Sequence, residues 1–365
     1  MHSHGRHARI AHGHRQAGFV LVVVLVAVVV LTLLATAVAV VSERAVTEAQ
    51  VDADAFAGEV ADIGSRDTVL YVLNTHRQTY GGITIDDQII WSSGQATALP
   101  SEDGSGQSPL PIGNEIRLDG TPYVGVGSSR FALQDDAGLL SVNWMSPMFR
   151  ARFFQQLGAA PGDSGGLEAA RLDFQDSDQL IRLGGAEASD YRRRQMSPPP
   201  DRPLVTPLQA RQIMGWDKLL AGLGDSALTS LLTTARVTVP NVNTAPTKVL
   251  ESIPGVDANV AGRMLALRDR SPFTLPWQLI RAFELPLTED DPMRLFSQGS
   301  GTLKLWHNGG GPVHMVHWTL TPYDEGGRPW RLDYEITLPR DEVTDIALAR
   351  ETQTPFFSQP AATGR

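Results

Sequence analysis

The sequence contains no cysteine, which excludes thiol catalysis, thiolate zinc sites and disulfide frameworks. Charge is also sparse, at 19% of residues, and basic residues number 31 against 40 acidic ones. That balance excludes a nucleic-acid coat held by overall positive charge, and a hydrophobic share of 42% excludes a disordered polyelectrolyte. Five of the nine histidines, His2, His4, His7, His12 and His14, crowd the N-terminus, so only His76, His307, His314 and His317 are left for acid–base work elsewhere. At 365 residues the chain has length for roughly two domains of about 150 residues each.

What is present begins with an asymmetry. Residues 1–18 hold Arg6, Arg9 and Arg15 and no acid; without them the chain has 28 basic against 40 acidic residues, a net charge of −12. Positive charge ahead of an apolar run marks the cytoplasmic side of a membrane. Residues 19–41 follow without a charge, Thr32 and Thr36 being the only polar positions, and as a helix they span roughly 35 Å, enough to cross a bilayer. Small-residue sites at 35–37 and 37–39 also fit a cleaved secretory signal, but the apolar core of such a signal is normally about 7–15 residues. The histidine-rich start resembles a metal tract only by composition.

Beyond the span, Val46, Ala49, Ala53, Ala57, Val60 and Ile63 recur at three and four, followed by Val69, Leu70 and Leu73. The helix is expected to continue on that face until the breaker Tyr80-Gly81-Gly82. Strands are expected at 83–91, 116–118, 123–126 and 131–133, and again only at 302–306, 313–320 and 330–338. Residues 148–298 between them have an almost wholly helical pattern. The economical arrangement is an α+β chain whose helical domain is inserted before the last strands of a helix-plus-antiparallel-sheet domain; two separate β domains would give the same strand count. The tail from residue 341 has no periodicity and is expected to be frayed.

Several motifs carry a possible chemistry beside a plainer one. Gly162-Asp163-Ser164-Gly165-Gly166 matches a serine-protease nucleophile signature, but no histidine lies in a matching context, and a flexible glycine-rich loop between helices accounts for it. His314 and His317, three apart on an expected strand, fall on opposite faces, which disfavours a shared metal. Asp135-Asp136-Ala137-Gly138 ahead of Asn143 is accounted for by turn and cap chemistry. Asp173, Asp176, Asp178 and Glu187 place four carboxylates within about fifteen residues, where they either repel or hold a hard cation; oxygen-only donors suit calcium. Pro254-Gly255 between two short helices has the form of a helix-hairpin-helix unit, but Asp257 stands where phosphate would approach, which favours packing or protein contact over DNA despite Arg263, Arg268 and Arg270.

The order of these features resembles a known family. Arg15-Gln16-Ala17-Gly18 followed by Phe19 resembles a prepilin-type leader, and Val23 stands at the fifth mature position, where pilins usually carry glutamate. Leu172-Asp173-Phe174-Gln175-Asp176-Ser177-Asp178 with Gly184-Gly185-Ala186-Glu187 and Tyr191, then Asn241-Val242-Asn243-Thr244-Ala245-Pro246 and the hairpin, resemble in the same order the protein K family of type II secretion minor pseudopilins. Phe174 replaces the usual tryptophan, and the asparagine motif near residue 143 is reduced to Val142-Asn143.

The resemblance implies a leader at 1–18 cut by prepilin peptidase between Gly18 and Phe19, a transmembrane helix at 19–41 and pseudopilin helix and strands at 42–147. It further implies a sterile-alpha-motif-like helical insert at 148–298, returning strands at 299–340 and a flexible tail at 341–365. It implies a non-enzymatic role in starting and capping a pseudopilus with minor pseudopilins of the I and J types and the major pseudopilin, from the bacterial inner membrane with the globular part in the periplasm. The alternative is a membrane-anchored DNA-uptake or type IV pilus-like component that uses the hairpin; a membrane-tethered serine hydrolase acting through Ser164 is a third reading.

Overall fold

The computed structural model of the chain describes residues 17–85, 109–288, 291–307, 310–322, 327–340, 349–352 and 354–357. It forms two units, Met1–Phe56 and Ala57–Arg365, taken here in turn.

In the first unit the described residues belong to one helix, α1 (Ala17–Thr75), which continues into the second. Its apolar side chains are exposed from Phe19 to Val41, and it is long and apolar enough to cross a membrane. Thr32 and Thr36 donate their hydroxyls to the carbonyls of Val28 and Thr32, each at 2.8 Å, so the only polar side chains in the span are satisfied within the helix.

In the second unit the end of α1 packs on a sheet. The buried positions are Gly58, Ala61, Asp62, Ser65, Val69, Leu70, Val72, Leu73 and His76. This differs from the face expected from hydrophobicity, since Val60 and Ile63 remain half exposed. Close approach and hydrogen bonding decide the outcome: a Cβ on Gly58 would lie 2.6 Å from the His307 ring, Ser65 Oγ accepts from the Val126 amide at 2.8 Å, and Asp62 accepts from Ser129 Oγ at 2.6 Å. Small and polar residues let the helix seat against the strands where Val and Ile would hold it off.

After the short pair β1 (Gln78–Thr79) and β2 (Gly82–Ile83) come β3 (Asp119–Val124) and β4 (Ser129–Asp135). The chain then leaves the sheet through β5 (Leu140–Ser141), α2 (Pro147–Gln156), α3 (Ser164–Gln175) and α4 (Ala188–Arg193). A 3-10 turn at Pro207–Gln212, α5 (Trp216–Leu219), α6 (Asp225–Thr229), β6 (Leu232–Thr233), α7 (Thr247–Leu250), α8 (Ala258–Arg268) and α9 (Pro276–Phe283) complete the excursion. It returns as β7 (Ser300–His307), β8 (Val313–Leu320) and β9 (Trp330–Leu338).

The five-stranded sheet has the order β3-β4-β7-β8-β9 and is antiparallel throughout. β4 and β7 pair over seven residues, from Ser129 with His307 to Asp135 with Gly301. The helical excursion therefore opens between two neighbouring strands of one sheet, and the arrangement with two separate β domains is excluded.

Alternation along the strands gives one face to α1, where Phe131, Leu133, Leu303, Leu305 and Trp318 meet Val69, Leu70, Val72 and Leu73. The insert has a core of its own, centred on Phe149, Phe153, Phe154, Phe174, Tyr191 and Trp216. Trp216 packs edge-on to Phe154 at 5.0 Å and donates its indole N–H to the Leu167 carbonyl at 2.9 Å.

Three local expectations change. Leu232 and Thr233, expected within a helix, form β6 and pair in parallel with Leu140 and Ser141, because the amides of Leu140 and Val142 take the carbonyls of Leu231 and Thr233 at 3.0 and 2.9 Å. The strand expected at 83–91 ends at Ile83 as far as it is described, residues 86–91 lying outside the described residues, and Ile116 contributes only a single bridge to Ile83. The tail is docked where it is described: Arg350 bridges Tyr123 on β3, and Phe357 is buried against Phe131 at 5.2 Å between ring centres.

Candidate functional site

The acidic block spans the end of α3 and the loop to α4. Asp173 is fully buried and serves as the anchor of that loop, accepting from the Arg182 backbone amide at 3.1 Å and from its guanidinium at 2.5 Å. Gly185 must be glycine here, since a Cβ would fall 2.0 Å from Asp173 Oδ2. Arg182, unnoticed in the sequence, also pairs with Asp176 through one carboxylate oxygen.

Of the four carboxylates singled out in the sequence, three converge: Asp176, Asp178 and Glu187 place a ligand atom each within 4.8 Å of the others. Asp173 is not among them; its oxygens are spent on Arg182. Glu187 is 2% exposed, yet neither of its oxygens has a hydrogen-bond partner, and the second oxygen of Asp176 is likewise buried and unmatched. Burial, with the charges of Asp173 and Asp176, pushes the Glu187 carboxyl above its ordinary range. Unmatched buried oxygens on Glu187 and Asp176, with the exposed Asp178 carboxylate beside them, make an oxygen donor set that fits calcium, with room in its usual six to eight positions for carbonyls or water.

The helix-hairpin-helix segment runs from α7 through Pro254-Gly255 into α8. Asp257 caps α8 by accepting from the Val260 amide at 2.8 Å. Gly255 has φ +81°, and a Cβ there would meet Pro286 at 2.3 Å, so the turn is packed against the chain that follows α9. Arg268, counted in the sequence among the charges available to DNA, is buried and donates to the carbonyls of Val242 and Ala245 at 2.9 and 2.5 Å. Asn243 ties the insert together, with Nδ2 on the carbonyls of Phe273 and Leu295 and Oδ1 accepting from the Phe273 amide.

The Asp135-Asp136 turn does more than the cap chemistry expected of it. Asp135 does accept from the Ala137 amide at 3.0 Å, but it also accepts from Gln298 N, Asn241 Nδ2 and Thr244 Oγ1 at 2.9, 3.0 and 2.8 Å. Burial pushes its carboxyl up to about 6 against these donors. Asp136 accepts from Thr233 and Ser300 hydroxyls at 2.7 and 2.5 Å and from His317 Nε2 at 2.8 Å, while His317 Nδ1 lies 2.8 Å from Asp333. One turn thus joins the insert, through residues 233, 241 and 244, to the strands on which the chain returns. The only sequence signal was a pair of adjacent acids beside a glycine.

His314 faces the other way, half exposed and 3.7 Å from Glu335, so the two histidines share no site. Ser164 opens α3 where a loop was expected, and the insert it belongs to contains no histidine. Gly18, Phe19 and Val23 lie in the first turns of α1; Phe19 and Val23 are exposed, and residues 1–16 of the leader, with its histidines, lie outside the described residues.

No protein-family model matches the chain, and no curated protein matches it significantly. Among solved structures, it is similar to a chain in the crystal structure of the GspK-GspI-GspJ complex from the type 2 secretion system of enterotoxigenic Escherichia coli. The identity is 14%, the TM-score is 0.42, and the match covers 59% of this chain and 82% of that one. That similarity is too loose to carry a role from one protein to the other.

Proposed function

We propose that the chain is a minor pseudopilin of a type II secretion system, held in the bacterial inner membrane with its globular part in the periplasm and placed at the end of a pseudopilus with other minor pseudopilins. One observation carries the reading: an apolar stem helix with Gly18-Phe19 in its first turn, and Val23 where a pilin would hold glutamate, leads into a sheet that admits a large helical insert between two adjacent strands. In an assembly of such stems a glutamate in the bilayer is tolerable only when paired with the N-terminal amine of a neighbour. A subunit with valine there offers its own amine but needs none in return, which suits an end position. The insert adds bulk where further stacking would have to occur. Below the span, Val46, Ala49, Ala53 and Phe56 form an exposed apolar seam at alternating three- and four-residue spacing, the pattern of a helix that packs on another helix.

In this reading prepilin peptidase cuts after Gly18 and the new Phe19 amine is methylated. The acidic loop binds calcium through Asp176, Asp178 and Glu187, and the cation fixes the loop between α3 and α4. The test is the N-terminus of the protein isolated from its native host: mass spectrometry is expected to find methylphenylalanine at residue 19. A chain starting at Met1, or beyond Ala35, overturns the reading. Val23→Glu is expected to change filament number or length, and filaments identical to wild type overturn the end position.

A further inference from the structure

A separate concentration of charge lies where the loop before β3 meets the end of α8. There a cavity of about 430 Å³ is walled by Arg117, Arg268 and Arg270, with Glu115 and Asp269 among them, and Arg350 from the docked tail completes it. Four arginines from three separate stretches of chain line it in a protein whose net charge is −9.

The acceptors around them are mostly spent. Asp119, buried behind the cavity, takes Arg117 Nε at 2.9 Å and Arg268 at 3.4 Å. Burial would raise the Asp119 carboxyl, but these two cations outweigh it and hold it below its ordinary range. Asp269 meets Arg117 Nη2, which also pairs with Asp119, at 2.7 Å. Glu115 is occupied by the amides of Ile112 and Gly113 at 2.6 and 3.0 Å and by the Thr79 hydroxyl at 3.1 Å. Arg268 is 6% exposed and its Nε has no acceptor. Arg270 and Arg350 are exposed and, among the described residues, enter no ion pair.

We propose that this cavity receives the carboxylate of an aspartate or glutamate side chain presented by an acidic segment of a partner protein. Four guanidinium groups against the carboxylates of Glu115, Asp119 and Asp269 leave one positive charge in excess, which matches a single carboxylate. The planar donors of Arg270 and Arg350 pair naturally with its two oxygens. A nucleic-acid backbone would have to pass Asp269 and Glu115 on a strongly acidic protein, which disfavours a phosphate polyanion. The cavity is larger than one carboxylate and leaves room for the peptide that carries it. The proposal is independent of the filament reading.

The test uses the full chain in nonionic detergent, titrated calorimetrically with a capped Asp-Glu-Asp peptide. Saturable binding that weakens as salt rises is expected. The double substitution Arg270→Ala, Arg350→Ala should weaken it about tenfold or more with unchanged thermal melting, since both side chains are exposed. Lysine at both positions should retain part of the affinity. Absence of saturation, or equal affinity in the double alanine variant, overturns the proposal. So does binding of a neutral peptide, free succinate or inorganic phosphate as tight as that of the acidic peptide.

Discussion

His317 Nε2 lies 2.8 Å from Asp136 Oδ2 across 181 residues of sequence, and the other ring nitrogen lies 2.8 Å from Asp333. Burial alone would lower the histidine's pKa, but hydrogen bonds to the two carboxylates outweigh it and push it up to about 9. Asp136 belongs to the turn where the insert departs, and His317 to the strand that pairs with the returning one. A buried imidazolium between two carboxylates therefore helps hold the insert to the sheet.

The pH dependence follows from that raised pKa. The unfolded histidine titrates near about 6.5, so the stabilisation is complete below that value and is lost as pH rises through about 9. Denaturant unfolding of the full chain in detergent should show stability falling between these limits. His317→Phe should flatten that slope and cost about 3–5 kcal/mol by leaving Asp136 facing no cation. An unchanged slope in the variant would mean the pair carries no such coupling.

Calcium should raise the thermal midpoint of the wild-type protein at neutral pH and a chelator should reverse the gain; at about 100 times the dissociation constant the stabilisation is about 2.7 kcal/mol. Glu187→Gln should remove the response while leaving the apoprotein folded, because an amide relieves the buried, repelled carboxylate. The response should also fade on acidification, as protons compete for Glu187, whose pKa is raised. A calcium-independent melt would reject the site.

Gly255→Ala tests the packed hairpin. The residue has φ +81° and its Cβ would meet Pro286, so a loss of about 1–3 kcal/mol is expected, measurable by urea unfolding. Pro286→Ala in the same chain should recover part of it by removing the contact but not the backbone strain. A variant as stable as wild type would show that the turn stands free of Pro286.

Removing the tail's anchor should also be costly. Phe357 is buried on Phe131, and Phe357→Ala is expected to cost about 3–5 kcal/mol if that contact is as tight as a core contact. A change within about 0.5 kcal/mol, the range of surface substitutions, would place the tail off the sheet.

The sequence by itself determined the apolar stem, the long strands β8 and β9 and the general run of helices between two β regions. These rest on local periodicity and on uninterrupted hydrophobicity, which neighbours along the chain express without help. It also drew attention to Asp176, Asp178 and Glu187, because several carboxylates within one short stretch stand out from their type and spacing. Tertiary structure alone decided that β4 pairs with β7, that α1 seats on Gly58, Ala61 and Ser65 with Val60 and Ile63 left outside, and that Asp173 turns to Arg182. It alone brought Asp136 to His317 and placed Arg350 on the cavity that Arg268 lines. Partners so distant in the chain meet only through packing, and packing selects for shape and for satisfied buried charge, neither of which leaves a period in the sequence.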